Sequence, residues 1–370
     1  MKHIALSFLS FFYTVILSAQ LDIPASGNNP RATVTEEVAI TSITIKYSRP
    51  DVNKREGKIW GEGNLVTYGF TTPNYIINKN TSPWRAGANE NTTITLEHDV
   101  KVEGQPLKAG TYGLFMAMGA GDVTIIFSQH IDAWGSFYYD EKYDALRVNV
   151  KPVALDKSVE WLKYEFIEQR EKYCVIAMQW EKLSVPFRID VDVDNIVISR
   201  IREELSSRKG FMPALILQAA QYCFNKNINL EEALQWSIRA IDGVGGQKTY
   251  ITLRNLATAY EKLNRIAEAD STMKEALTIA TANQYTAYSK ILITQKRADR
   301  ALEVLLASQK RYGDIFGVNN GLMSGYSAKG DFKTAIKYAE KAMAQAPNDA
   351  AKKTLEAQVA KLKEGKDINQ

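Results

Sequence analysis

Aromatic and polar side chains stand close together at several places in the first half of the chain, and this combination suits ligand binding. Tryptophan and tyrosine rings offer flat apolar faces, while arginine, asparagine and acidic side chains supply hydrogen bonds, which together suit a planar or sugar-like ligand. The candidate ligand-binding residues are Arg49, Trp60, Trp84, Arg85, Asn89, Glu90, Trp134, Tyr139 and Asp140. The alternative is structural: the tryptophans belong to the core, and a buried network of arginine and aspartate pins loops over one end of the domain.

A carbohydrate-processing site would need two carboxylates that face one another across a cleft. Glu90 and Asp140 are the candidate acid and base, and spacing in the sequence does not show whether they meet. The rings that would stack on a sugar are Trp84, Trp134, Tyr138 and Tyr139. The sequence contains no nucleophile elbow, His-Glu-x-x-His pair, phosphate-binding loop or Cys-x-x-Cys pair. We therefore predict a non-catalytic protein without a cofactor, with carbohydrate binding or processing as the alternative.

Histidine and aspartate residues do not have the spacing of metal ligands. His98-Asp99 and His130-x-Asp132 offer mixed ligands, but no close pair of ligands repeats at helix or hairpin spacing. Asp190, Asp192 and Asp194 share one face of a predicted strand, where a solvated face leading into a helix N-cap is a simpler account than calcium binding. We predict no metal site.

Alternating apolar residues predict that the candidate site is carried by β-strands. In Ile43–Tyr47 and Phe187–Val193 every second residue is apolar, which places one face on a core and the other in water. Similar runs are separated by turn sequences such as Gly119-Ala120-Gly121-Asp122. Eight or more short strands with such turns predict an antiparallel β-sandwich or jelly-roll-like domain over residues 21–195.

Six short motifs follow one another along this half of the chain. They are Tyr47-Ser48-Arg49-Pro50, Ile59-Trp60-Gly61, Trp84-Arg85-x-Gly87-Ala88-Asn89-Glu90, Ala109-Gly110-Thr111-Tyr112-Gly113-Leu114-Phe115, Trp134-Gly135 and Tyr139-Asp140. In this order they resemble the family named domain of unknown function 2911 (DUF2911), over about residues 24 to 193. The resemblance implies an exported protein, typical of Bacteroidetes, with no assigned activity. The chain departs from the family pattern in an insertion, Phe70 to Pro83, that could cover or reshape the surface around Trp84.

Small residues recur at a fixed step in the second half of the chain. Ala233, Ala269, Ala301 and Ala335 share one position, and Ala240, Ala276, Ser308 and Ala342 share another. Both series step by 36, 32 and 34 residues, and the clearest repeat adds Gly330 in its turn and Pro347 after its second helix. This pattern resembles the tetratricopeptide repeat (TPR). We predict an all-α, TPR-like solenoid over residues 196–370 with a C-terminal capping helix, and thus a multidomain α+β chain.

Solenoids of this kind bind partners through the concave face of each first helix. The residues that the repeat places there are Gln218, Tyr222, Asn225, Arg254, Thr258, Lys290 and Asn320. This set lacks the paired lysine and asparagine pattern that grips a C-terminal carboxylate, which argues against binding of chaperone tails. We predict a protein or peptide partner, and the alternative is that the repeats only stabilise or space the β domain.

The first twenty residues have the pattern of a secretory signal peptide. Lys2 and His3 precede an apolar stretch from Ile4 to Leu17, and Ser18-Ala19-Gln20 follows it. Because no cysteine follows the expected cleavage point to accept a lipid, we expect a periplasmic or secreted protein that is not a lipoprotein. Nothing downstream is long and apolar enough for a membrane span.

Charge and cysteine content exclude two further classes of protein. The net charge of +4 is not gathered into basic blocks, so the sequence has no nucleic-acid-binding footprint. The two cysteines, Cys174 and Cys223, fall in different predicted domains, whereas a disulfide framework needs several spaced cysteines. We expect two buried free thiols, with one interdomain bridge as the alternative.

Overall fold

The computed structural model describes residues 29–71 and 81–370. The predicted signal peptide and most of the Phe70 to Pro83 insertion therefore lie outside the described residues. The chain divides into two units between Ser199 and Arg200, and each unit has its own buried core. The boundary predicted from the change of periodicity, between residues 195 and 196, lies four residues earlier.

In the described part of the first unit, ten strands form two antiparallel sheets. The strands are β1 (Arg31–Val38), β2 (Thr41–Ser48), β3 (Thr93–Leu96), β4 (Val100–Val102), β5 (Gln105–Leu107), β6 (Gly110–Met118), β7 (Val123–Ser128), β8 (Asp144–Val150), β9 (Val153–Arg170) and β10 (Tyr173–Val191). One sheet has the order β1-β2-β3-β6-β7-β8, and the other has the order β5-β4-β10-β9.

A single buried cluster joins the two sheets, which makes the unit an antiparallel β-sandwich, as predicted. Strand β2 shows the pattern that produces it, because Ile43 and Ile45 are fully buried while Lys46 is exposed. Strands β6 and β7 are buried on both faces. Phe115 and Ile126 point away from the main cluster and pack with Tyr139, so the segment after β7 covers the outer face of the six-stranded sheet there.

The hairpin of β9 and β10 is long and irregular. Its pairing register shifts between Gln179 and Glu181 and again between Glu181 and Leu183. Glu181 has a φ of +51°, a bulge conformation that side chains other than glycine seldom adopt. Its buried carboxylate accepts a hydrogen bond from the backbone N–H of Gly57 at 2.6 Å. The bulge thereby ties the loop after β2 to β10.

Ten α-helices follow the last strand in the described part of the chain. They are α1 (Val193–Leu205), α2 (Pro213–Lys226), α3 (Leu230–Asp242), α4 (Tyr250–Lys262), α5 (Ile266–Ile279), α6 (Ala282–Thr294), α7 (Ala298–Tyr312), α8 (Phe316–Ala328), α9 (Phe332–Ala344) and α10 (Asp349–Lys363). Packing is strongest within the pairs α2/α3, α4/α5, α6/α7 and α8/α9. These four helix pairs form the predicted solenoid.

The recurring small residues lie where the helices approach most closely. The four alanines of the first series are at most 1% exposed, and the four residues of the second series are fully buried. Helix α10 buries only Leu355 and Leu362 and leaves a largely polar outer surface, as a capping helix does. No described helix is long and apolar enough to cross a membrane.

Candidate functional site

An open pocket of about 580 Å³ lies in the β-sandwich unit, and we call it the sandwich pocket. Its walls come from the loop after β2, from the segment that leads into β3, and from β10. Three residues of the predicted site line it, namely Trp84, Arg85 and Asn89. The insertion begins and ends at this pocket, because Thr71 and Ser82 both line it and pair through two backbone hydrogen bonds of 3.0 and 2.7 Å.

Three tryptophans pack together beside the sandwich pocket. The ring centroids of Trp60 and Trp84 are 5.5 Å apart with their planes nearly perpendicular, and Trp84 lies almost parallel to Trp180 at 6.0 Å. The backbone of Trp84 exchanges hydrogen bonds of 3.0 and 2.8 Å with Met116 of β6, on the edge of β6 that β3 no longer covers. Trp84 is therefore held as a short extension of the sheet, with its half-buried ring on the pocket wall.

The position of Arg85 depends on the Trp134-Gly135 motif. Arg85 Nη1 donates to the carbonyl oxygen of Asn89 at 2.7 Å, and its guanidinium lies 5.3 Å from the ring centre of Phe137. A Cβ atom at Gly135 would stand 2.3 Å from Arg85 Cζ, and Gly135 has a φ of +58°. The glycine therefore leaves the space that the guanidinium occupies.

Arg49 and Glu90, two of the charged residues of the predicted site, do not line the pocket and are bound to other groups. Arg49 Nε donates to the carbonyl oxygen of Leu162 at 2.9 Å. Glu90 pairs with Arg31 and accepts a hydrogen bond from Ser48 Oγ at 3.1 Å. Burial opposes ionisation of Glu90, but backbone hydrogen bonding and the contacts with Arg31 and Ser48 outweigh it, so its pKa is lowered. Both side chains hold segments of the sandwich together.

Tyr139 is also outside the pocket lining. Its ring is 4% exposed and packs on Phe115, while its hydroxyl donates to Asp144 Oδ2 at 2.7 Å. Burial raises the pKa of Asp144, although Tyr139 and Arg147 both donate to the carboxylate. Tyr139, Asp144 and Arg147 bond one another within residues 139 to 147. These contacts therefore stabilise the segment that covers β6 and β7.

Asp140 and Trp134 point to other parts of the surface. The Asp140 carboxylate accepts from the backbone N–H of Lys142 at 3.1 Å and forms an ion pair with the side chain of the same lysine at 2.8 Å. Trp134 is 53% exposed and does not line the pocket. Since neither Glu90 nor Asp140 lines the sandwich pocket, the structure does not bring the two predicted carboxylates together there.

Most residues that line the sandwich pocket were not among the predicted site residues, and Arg55, Ser82 and Trp180 are three of them. Arg55 stands in a loop without a motif, and Ser82 belongs to the insertion. Trp180 lies in a run of alternating residues that predicts a strand, so the sequence marks it as core. It is indeed only 1% exposed, yet it lines the pocket beside the Glu181 bulge. Nothing in the local sequence around Trp180 and Glu181 indicates the bulge that brings Trp180 to the pocket.

The second unit has an open pocket of about 410 Å³ between α2 and α4, the first helices of two successive repeats, and we call it the groove pocket. Gln218, Arg254 and Thr258 of the predicted groove line it. A smaller cavity of about 30 Å³ continues from Arg254 and Thr258 to Glu261 and to Tyr288 of α6. The two cavities share Arg254 and Thr258 and together touch helices of three successive repeats.

The other predicted groove residues do not line either cavity. They are Tyr222, Asn225, Lys290 and Asn320. Asn225 is one helical turn beyond the groove pocket and accepts a hydrogen bond from Gln221 Nε2 at 2.8 Å. Lys290 is exposed, and Tyr222 and Asn320 are partly buried.

In the part of the chain that the structure describes, the cysteines and the histidine and acidic side chains form no further candidate site. Both cysteines are free and buried, and burial raises the pKa of Cys174 to about 12 and that of Cys223 to about 11. Such thiols are poor nucleophiles at neutral pH. Over residues 29–71 and 81–370, no group of three or more histidine, cysteine, aspartate or glutamate side chains is placed to hold a metal ion.

The architecture defines a class of protein in which a β-sandwich precedes a TPR solenoid, and family comparisons agree with it. Residues 29–189 match the family model described as a protein of unknown function (DUF2911). Residues 254–283, which cover most of α4, all of α5 and the start of α6, match a tetratricopeptide repeat model. The chain therefore combines a DUF2911 domain with tetratricopeptide repeats, as its motifs predicted. No curated protein matches it.

Three of the solved structures that this chain resembles each match less than half of it. One is YrrB, described as a TPR protein with an unusual peptide-binding site, at 14% identity and a TM-score of 0.28 over 46% of this chain and 86% of that one. Another is MamA from Desulfovibrio magneticus RS-1, at 18% identity and a TM-score of 0.27 over 43% and 95% of the two chains. A third is the APC/C hetero-tetramer Cut9-Hcn1, at 16% identity and 0.30, over 45% and 33%.

Proposed function

We propose that this protein is a non-catalytic interaction protein whose solenoid binds an extended peptide segment of another protein. The observation that carries the proposal is the groove pocket, which opens between the first helices of two repeats. Its lining combines apolar Leu217 and Ile251 with the amides of Gln218 and Gln221 and with Arg254. Ile251 is 62% exposed, so its side chain is accessible to a partner.

The chemistry of the groove pocket fits a peptide better than a small apolar ligand. Glutamine amides offer both donors and acceptors, which match the N–H and C=O groups of an extended backbone. Ile251 and Leu217 give an apolar surface for one partner side chain, while Arg254 favours an acidic group beside it. We therefore propose a partner segment that places an apolar residue next to an acidic one.

The proposal includes the cellular location of the protein. The apolar stretch from Ile4 to Leu17 behind Lys2 supports export, and its small-residue end without a following cysteine supports a protein free in the periplasm or the medium. The partner is accordingly another exported protein.

Photocrosslinking tests the groove directly in the full chain. A photoreactive amino acid replaces Gln218 in the groove pocket or, as a control, Lys274, which is exposed on α5 and lines neither cavity. We expect adducts from position 218 that disappear when Arg254→Ala is added, and none from position 274. Equal adducts at both positions, or adducts that survive Arg254→Ala, would show that the groove pocket does not bind the partner and would leave the repeats a supporting role.

A second candidate function is favoured by the sandwich pocket, namely binding of a small polar or carbohydrate ligand. Its volume suits one or two sugar rings, and Trp84 stands among serine, threonine and asparagine side chains on its walls. Binding is favoured over hydrolysis because neither Glu90 nor Asp140 lines the pocket. Saturation-transfer NMR with a panel of monosaccharides tests this, since binding should be lost in Trp84→Ala and kept in Trp134→Ala. The opposite result would place the ligand on the exposed Trp134.

A further inference from the structure

The sandwich pocket has an uneven charge. Two arginines, Arg55 and Arg85, line it, and no carboxylate does among the described residues. The nearest acidic partner of Arg55 is Asp51, whose carboxylate lies 3.3 Å from Arg55 Nη2. Two other acidic groups near these walls are bound elsewhere, Glu181 by the backbone of Gly57 and Glu90 by Arg31 and Ser48. An anion in the pocket would therefore meet two arginines, and no carboxylate of the described residues lines the pocket beside them.

Arg55 keeps part of its hydrogen-bonding capacity available. Its Nε and Nη2 atoms donate to the carbonyl oxygens of Val52 and Asp51 at 2.9 and 2.8 Å, which fixes the guanidinium in the loop. Its Nη1 atom meets no hydrogen-bond partner in the described part of the chain, and the side chain is 40% exposed. A guanidinium held on one side and open on the other is preorganised to donate to an anionic oxygen.

Two buried polar atoms on the same walls also lack partners. Ser82 is 3% exposed and Trp180 is 1% exposed, both line the pocket, and neither Ser82 Oγ nor Trp180 Nε1 has a hydrogen-bond partner within residues 29–71 and 81–370. Unpartnered buried donors are rare in folded proteins and destabilise them. A ligand that offers acceptor oxygens would satisfy both.

We propose that the sandwich pocket binds an acidic saccharide, a sugar ring that carries a carboxylate or a sulfate group. The inference rests on the proposal that this pocket binds a polar or carbohydrate ligand, and it adds the ligand's charge. Arg55 and Arg85 receive the anionic group, the ring of Trp84 packs against the sugar's C–H face, and Ser82 bonds a ring hydroxyl. A neutral sugar would offer no anionic oxygen to the open Nη1 donor of Arg55, and a flat organic acid would leave the hydroxyl-bonding groups unused.

Calorimetric titration of the full chain separates these chemistries with four test ligands. Glucuronate and galactose 6-sulfate carry both a sugar ring and an anion, glucose lacks the anion, and benzoate lacks the hydroxyls. We expect one or both acidic sugars to bind at least tenfold more tightly than glucose and benzoate, and the better of the two identifies the anion. If glucose binds as tightly, the pocket is a saccharide site without charge selection, so this inference fails while the proposed ligand site survives. If no sugar binds, or if benzoate binds best, both fail.

Matched variants then locate the binding. Arg55→Gln should weaken binding of the acidic sugar about tenfold, because a hydrogen bond to a charged group is lost. Arg170→Gln is the control, since Arg170 belongs to the same unit and pairs with Glu168, and neither residue lines the pocket. An equal loss in both variants would contradict the inference.

A second pair of variants tests the same site without changing Arg55, whose side chain also supports its loop. Ser82→Ala removes a hydroxyl that has no described partner, so the free protein should keep its melting temperature while affinity falls roughly threefold or more. Ser308→Ala is its control, because Ser308 Oγ is equally buried and unpartnered but lies in the solenoid. Affinity that is unchanged in both Arg55→Gln and Ser82→Ala would overturn the assignment.

Discussion

At the scale of single residues, Tyr139 illustrates how a candidate ligand-stacking ring can serve the fold. Its hydroxyl is one of the donors to the buried carboxylate of Asp144, whose pKa is already raised by burial. We expect Tyr139→Phe to lower the free energy of unfolding by about 1 kcal/mol, because a buried acceptor loses a partner. Urea unfolding measures the change, with Tyr138→Phe as the control, since Tyr138 is 43% exposed. Equal stability of the two variants would contradict this role.

Glu261, on the concave face of the solenoid, makes stability depend on pH. Burial raises its pKa above the ordinary 4.5, and nearby Arg297 and Arg254 offset this only in part. The folded state therefore binds the proton more tightly than the unfolded state, so the free energy of unfolding falls as pH rises from about 4.5 through the raised pKa. We expect Glu261→Gln to remove this fall, seen as a stability difference that grows with pH.

The control for that pH profile is Glu231→Gln, because Glu231 is exposed on α3 and lies outside both cavities of the solenoid. Thermal unfolding at a series of pH values, followed by circular dichroism, gives the comparison. A stability difference between Glu261→Gln and the native chain that stays constant from about pH 4 to pH 7 would show that burial of Glu261 has no effect on its titration.

At the scale of secondary-structure elements, the turn that begins at Gly135 positions one wall of the sandwich pocket. A Cβ atom there would meet Arg85 Cζ at 2.3 Å, and the φ of +58° disfavours any side chain. We expect Gly135→Ala to destabilise the sandwich by about 2 kcal/mol, through backbone strain and displacement of Arg85.

Gly63→Ala separates these two causes, because Gly63 has a φ of +76° and no atom within 4 Å of the added Cβ. It should lose only the strain contribution, about 1 kcal/mol, in the same urea titration. If both variants lose the same amount, the close approach of Gly135 to Arg85 has no energetic consequence.

Elements with a regular period could be predicted from the sequence, and those that break a period could not. Alternation identified β2, and the step of 32 to 36 residues between small side chains identified the helix pairs, because close helix packing requires small residues at the contact. The bulge at Glu181 and the exposed side of Arg55 depend on which distant segments meet, so no local pattern marks them. The same reason applies to Glu90, which is bound by Ser48 of a distant strand, whereas Asp140 pairs with its neighbour Lys142.

At the scale of the whole molecule, each unit has its own core and its own open pocket. Whether the two units unfold independently can be measured, because their aromatic residues differ. Trp60, Trp84, Trp134, Trp161 and Trp180 all belong to the first unit, whereas Trp236 alone belongs to the second. Tryptophan fluorescence therefore reports mainly on the sandwich, and circular dichroism at helical wavelengths reports on the solenoid.

Ala335→Leu tests that independence, because Ala335 is fully buried in α9 and added methyl groups at such a contact destabilise by about 1 to 3 kcal/mol. We expect the helical unfolding midpoint to fall while the fluorescence midpoint and ligand binding by the sandwich pocket stay unchanged. Ala344→Leu, the same substitution at an exposed position of the same helix, should change neither midpoint. A parallel fall of both midpoints in Ala335→Leu would mean that the two units unfold as one, and that the solenoid contributes stability to the sandwich as well as a surface for partners.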